Sequence, residues 1–91
     1  MSVIDNTSRS RFEYEADGRT AFIDYRRAGS VLSLTHASVP SELEGRGIGS
    51  AMVRDTLDLI RERGETVVPL CSFVDAFIRR HPDYSDLLAT R

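Results

Sequence analysis

The sequence predicts an α+β domain: an antiparallel β-meander, then one long helix, a further strand and C-terminal helices. Three observations predict it. Three stretches within the first 39 residues alternate apolar and polar side chains, the period of a half-buried strand. The connections between them are too short for parallel crossovers, so neighbours must run antiparallel. From residue 48 the apolar spacing lengthens to three and four, as on a helix lying against a core.

Met1 to Ser10 is polar and unpatterned and reads as a flexible N-terminus ahead of a single domain over 11–91. Arg11-Phe12-Glu13-Tyr14-Glu15 is the first alternating stretch. Asp17-Gly18 follows, the strongest short hairpin signal, because both residues tolerate the positive φ of a tight turn. Thr20 to Arg26 resumes the alternation, with Ala21, Ile23 and Tyr25 on one face and Phe22 and Asp24 on the other. After a turn at Arg27–Ser30, Val31 to Val39 forms the third strand, ended by Pro40. Ile48, Met52, Val53, Leu57 and Ile60 give the core stripe of a helix from Gly47 to about Arg63. Arg54, Asp55, Asp58, Arg61 and Glu62 take its wet side, and Gly64 ends it. Thr66 to Leu70 is a fourth strand whose Pro69 marks an edge or irregularity. Ser72-Phe73-Val74-Asp75 fits a capping box opening a helix to Arg80. Pro82 can begin a last short helix to Leu88.

Composition narrows the function. Hydrophobic residues make up 41% of the chain and charged residues 29%, the balance of an ordinary globular domain rather than a disordered one. A net charge of −2, with no clustered basic face, speaks against a nucleic-acid partner. No apolar run approaches 18 residues and no signal-like segment opens the chain, so it is expected to be cytoplasmic, free of membrane and monomeric. The single cysteine cannot close an internal disulfide, in keeping with a reducing compartment. One cysteine and two distant histidines do not make a metal site.

The densest motif is Glu44-Gly45-Arg46-Gly47-Ile48-Gly49-Ser50, which opens directly onto the long helix. Glycines let a ligand approach backbone N–H groups, and a helix start favours negative charge, so the loop suits a phosphate. Arg46 can add a charge-assisted contact. A Walker loop needs a lysine beside its second glycine, and the chain has no lysine. A dinucleotide fingerprint is G-x-G-x-x-G within a parallel unit, whereas here G-x-G-x-G follows a meander. That order suits another phosphate carrier, coenzyme A. A turn that merely starts a helix is the plainer reading of the same residues.

Leu43 to Ala51 resembles the acetyl-CoA signature of the GCN5-related N-acetyltransferases (GNATs), Q/R-x-x-G-x-G/A, with Glu44 in the first place instead of glutamine or arginine. Thr35-His36-Ala37-Ser38-Val39-Pro40, Val67 to Phe73 and Arg80-His81-Pro82-Asp83-Tyr84 extend the resemblance to a minimal, YidJ-type subfamily. It lacks the N-terminal helices of larger members, and the match spans about Arg11 to Leu88. The resemblance implies a minimal GNAT-like fold and an acetyl-CoA-dependent N-acetyltransferase. Its co-substrate would be acetyl-CoA, held by Val39, Gly45, Arg46, Gly47, Ile48, Gly49, Ser50 and Cys71. Its acceptor would be an amine, on a small molecule or a protein. It further implies that Cys71 is an acetyl-accepting nucleophile; a thiol at a helix start is favoured as thiolate. His36, on the strand entering the loop, is the second catalytic candidate, as a base. Tyr84 reads as core packing rather than as an acid, His81 as a helix-start residue, and Arg79 and Arg80 as solvated charges. Two other classes stay open: a non-catalytic acyl-CoA binding or sensing module, and an interaction domain whose loop is structural.

Overall fold

A computed structural model describes residues 3–89; Met1 and Ser2 of the predicted flexible terminus and residues 90–91 of the predicted domain lie outside them. Five strands form one sheet in chain order: β1 (Ile4–Asn6), β2 (Arg11–Ala16), β3 (Arg19–Ala28), β4 (Val31–Ser38) and β5 (Thr66–Pro69). The first four pair antiparallel; β5 lies parallel to β4. The parallel pair follows from the crossover between them, which is α1 (Ile48–Glu62). A second helix, α2 (Ser72–Arg80), and a 3₁₀ helix over Pro82–Leu87 close the chain. Sequence and structure agree on the α+β class and on the order of these later elements.

Local chemistry explains the turns. Asp17 and Gly18 have φ of 51° and 73°, as a two-residue hairpin turn of this kind requires. At the end of α1, Gly64 takes a φ of +71°; its N–H donates to the Arg61 carbonyl, and the next N–H, of Glu65, reaches back to Ile60. These two bonds satisfy carbonyls that the helix end would leave bare. The predicted capping box does not form. Cys71, not Ser72, is the N-cap of α2, without a side-chain bond, and Asp75 pairs with Arg79.

The core lies between one sheet face and the helices. Phe12, Ala21, Ile23, Leu32 and Leu34 from the sheet meet Met52, Val53, Leu57 and Ile60 from α1 and Val74 and Phe77 from α2, all without solvent exposure. The opposite face bears Phe22, with the Arg11 guanidinium 3.7 Å from its ring centroid and 3.4 Å from Asp24.

The N-terminus departs from expectation. Residues 4–6 are a strand rather than a flexible lead, paired with β2 from Ile4–Glu13 to Asn6–Arg11. The cause is Asp5, whose side chain is almost buried. It accepts from the Tyr25 hydroxyl at 2.7 Å and from Arg63 at 2.8 Å, with Arg27 at 3.9 Å. Burial first, then the bond to Asp5, raises the Tyr25 phenol above its ordinary range. Asp5→Ala should therefore cost about 2 kcal/mol, since it strips a phenol and an arginine of a buried charged acceptor. A lowered urea midpoint, with faster amide exchange at residues 4–6, is the expected readout; an unchanged midpoint would show β1 held by its ladder alone.

One irregularity shapes the rest. Asp24 pairs with His36 and Tyr25 with Leu34, so Thr35 is an extra residue in β4, its hydroxyl 3.3 Å from the Asp24 carbonyl. Such a bulge bends a strand. The β4–β5 ladder runs only from Val31–Thr66 to Leu34–Pro69, and one further bond joins the Cys71 N–H to the Leu34 carbonyl at 2.9 Å. Beyond it β4 continues to Ser38 paired with β3 on one edge, while among the described residues no strand lies along the other. β5 is paired over its whole length and ends there, and the chain turns into α2, so this edge of β4 stays free with Cys71 at its inner end.

Candidate functional site

At the far end of the free β4 edge the chain leaves β4 through Val39 and Pro40 into a 3₁₀ turn, Ser41–Leu43, pinned by the buried Leu43. The glycine loop follows. Gly45 and Gly47 have φ of +79° and +75°, a region that favours glycine, and nothing lies within 4 Å of where a side chain would begin at either. Gly47 is the N-cap of α1, with no side-chain cap and no acidic residue in the first turn. The first N–H groups of a helix have no partner within it, so here they remain for a ligand. Ala37, Val39, Leu43, Glu44, the loop glycines with Ile48 and Ser50, and Phe73 line a cleft of about 400 Å³. Open glycines, bare N–H groups and a positive helix end fit a phosphate group.

The remaining predicted residues divide. Arg46 is exposed and ion-paired with Asp17 at the tip of the β2–β3 hairpin, where Arg19 also meets Glu42 at 3.5 Å. Cys71 is half-buried against the core and is not among the residues lining the cleft. His36 is exposed and tilts against Phe22, ring centroids 6.2 Å apart. Alternation along β4 puts it on the face opposite Ala37 and the cleft. No hydrogen bond joins His36 to Cys71 among the described residues.

Tyr84 is buried, 5.9 Å from Phe77 between ring centroids, and donates to Asp58 at 2.8 Å. Burial and then that bond raise its phenol above the ordinary range, and it has no place in the cleft wall. His81 stacks on Phe77 at 4.1 Å and caps the start of the 3₁₀ helix. Arg79 and Arg80 sit at the C-terminal end of α2, the end away from Phe73. Sequence reasoning missed Phe73 as a cleft residue. Its signal was a large apolar side chain lying off the α2 core stripe of Val74, Phe77 and Ile78.

A family model for GCN5-related N-acetyltransferases matches residues 11–87. The chain belongs to that family. Members of the family use acetyl-CoA as co-substrate. The NMR solution structure of a GCN5-like protein from Staphylococcus aureus superimposes with a TM-score of 0.72 at 20% identity, over 99% of this chain and 89% of that one. This likeness shows the GNAT fold. The sheet with its late parallel strand and the helix after β4 are shared architecture. Among the described residues no helix is long and apolar enough to cross a membrane.

Proposed function

We propose that this chain binds acetyl-CoA with its pyrophosphate on the loop from Gly45 to Ser50, and that it transfers the acetyl group to an amine. The observation that carries the reading is the join of two features: the uncapped start of α1 with open glycines before it, and the free edge of β4, beyond the β5 ladder, that runs from Val39 back toward Cys71. The first suits a pyrophosphate. The second offers a free strand edge to an amide-bearing arm, as an added strand would use it. Acetyl-CoA, once bound, supplies an activated thioester. The loop N–H groups and Arg46 hold phosphate and Val39 borders the arm. The Cys71 thiolate attacks the thioester carbonyl and CoA leaves as its thiol. The amine then attacks the acetyl-cysteine, giving the amide and freeing the Cys71 thiol.

Calorimetry tests the binding step. CoA should bind far more tightly than ATP or NAD, because only CoA uses both features; equal affinity for ATP would leave a generic anion loop. Arg46→Ala should weaken CoA by about 1–2 kcal/mol, one charge-assisted contact. It should change stability by less than about 0.5 kcal/mol, because the Asp17 pair is exposed. A stability loss with unchanged CoA affinity would make Arg46 a tie to the hairpin and nothing more.

One observation favours a second reading, a non-catalytic acyl-CoA binding or sensing module. His36 lies on the face away from the cleft, and Cys71 stands outside its wall. Such a module keeps the binding prediction and loses the transfer of acetyl to Cys71.

A further inference from the structure

We propose that the Phe73 ring is a gate on the way from the glycine cleft to Cys71, and that position 49 is glycine so that the gate can close. The proposal rests on the CoA reading only for what passes through. Phe73 is the second residue of α2, yet it lies outside the buried stripe of that helix and is 39% exposed. Its ring reaches across to the first turn of α1. A Cβ on Gly49 would stand 2.9 Å from Phe73 Cζ, 3.2 Å from Cε2 and 3.5 Å from Val39 Cγ2.

Gly49 is therefore unlike its neighbours in the loop. Gly45 and Gly47 answer to positive φ with open space around them, whereas Gly49 lies inside α1 without positive φ. A glycine within a helix costs about 1 kcal/mol against alanine. What its bare Cα provides here is a seat for an aromatic ring.

Val39 just after β4, Gly49 from α1 and Phe73 from α2 so meet at the cleft end of the free β4 edge. Phe73 belongs to the cleft wall, and Cys71, two residues earlier, does not. A ligand arm passing from the loop along β4 toward Cys71, which bonds Leu34, meets this ring first. The ring is held on one side by a glycine and faces solvent on the other, so a side-chain rotation moves it without disturbing the buried core. Closed, it screens the thiol when no ligand is bound; turned aside, it flanks the arm.

The sole cysteine makes the test direct. Alkylation of the unliganded protein by iodoacetamide is followed by mass spectrometry. Phe73→Ala should raise the rate roughly tenfold, because alkylation follows thiolate exposure, and Phe73→Leu should raise it less. Gly49→Ala keeps Phe73 and denies the ring its seat, so it should also speed alkylation while thermal melting stays at or above the parent's. It keeps the test sound if Phe73→Ala loosens α2. Rates in Gly49→Ala at or below the parent's overturn the gate, as does a Phe73→Ala rate equal to the parent's in a folded chain. In a second arm, Phe73→Ala should speed CoA association in stopped flow more than ADP association, because only CoA carries an arm past the ring. If neither ADP nor CoA binds the parent, the CoA reading falls, and the alkylation rates still decide the gate.

Discussion

Gly47→Val is expected to weaken CoA binding about 100-fold or more, the loss of a helix-end anion site together with its approach path. Two effects add. Valine is a poor fit at a φ of +75°, at a cost of about 1–3 kcal/mol, so the start of α1 must shift. Its branched side chain would also fill the open space that faces the loop at this position. The core stripe from Met52 to Ile60 is untouched, so circular dichroism should still report a folded chain. A folded variant with parental CoA affinity would remove the phosphate-loop reading. Gly49→Val also blocks the site, but by another route: its side chain would run into Phe73 and Val39 rather than strain the backbone.

Cys71→Ala is expected to erase a covalent product altogether. Incubation of the parent with acetyl-CoA should add one acetyl group, about 42 Da by the chemistry of an acetylated thiol. Cys71→Ser should retain little of it, because a hydroxyl has no comparable ionised fraction. CoA should protect the thiol from alkylation. If Cys71→Ala transfers acetyl to an amine at the parental rate, the cysteine route is wrong and direct attack by the amine replaces it. If the parent binds CoA, takes up no acetyl group and acetylates no amine, the binding-module reading stands.

Much of the fold was legible because its determinants are local. Asp17-Gly18 carries its turn in two residues, the α1 stripe repeats over four turns, and Gly64 ends that helix by its own φ. The missed features depend on partners far along the chain. Nothing around Asp5 announces a strand; its partners are Tyr25, Arg27 and Arg63. Arg46 looked free for a ligand because Asp17 is 29 positions away. The α2 cap was misplaced by one residue because the Cys71 N–H is drawn into the sheet by Leu34, which fixes Cys71 as the boundary. In the site, Gly45 and Gly47 could be read directly, since positive φ is a property of single residues; Gly49 has no positive φ, and its surroundings are set by Phe73, on a later helix. The side of the sheet on which His36 falls was not: plain alternation groups it with the buried Leu32 and Leu34, and the bulge at Thr35 turns it to the other face.

The knot at Asp5 also sets an order in time. The β2–β3 and β3–β4 hairpins close over a few residues and can form early, because short loops lose little entropy on closure. Asp5 must wait for Arg63, 58 positions later, and so for α1 to lie on the sheet. A chain emerging residue by residue could pair β1 with β2 early, but would lack the bond from Arg63 until most of the domain has been made. That bond is then the last of the Asp5 contacts to lock, and local opening of β1 releases it first.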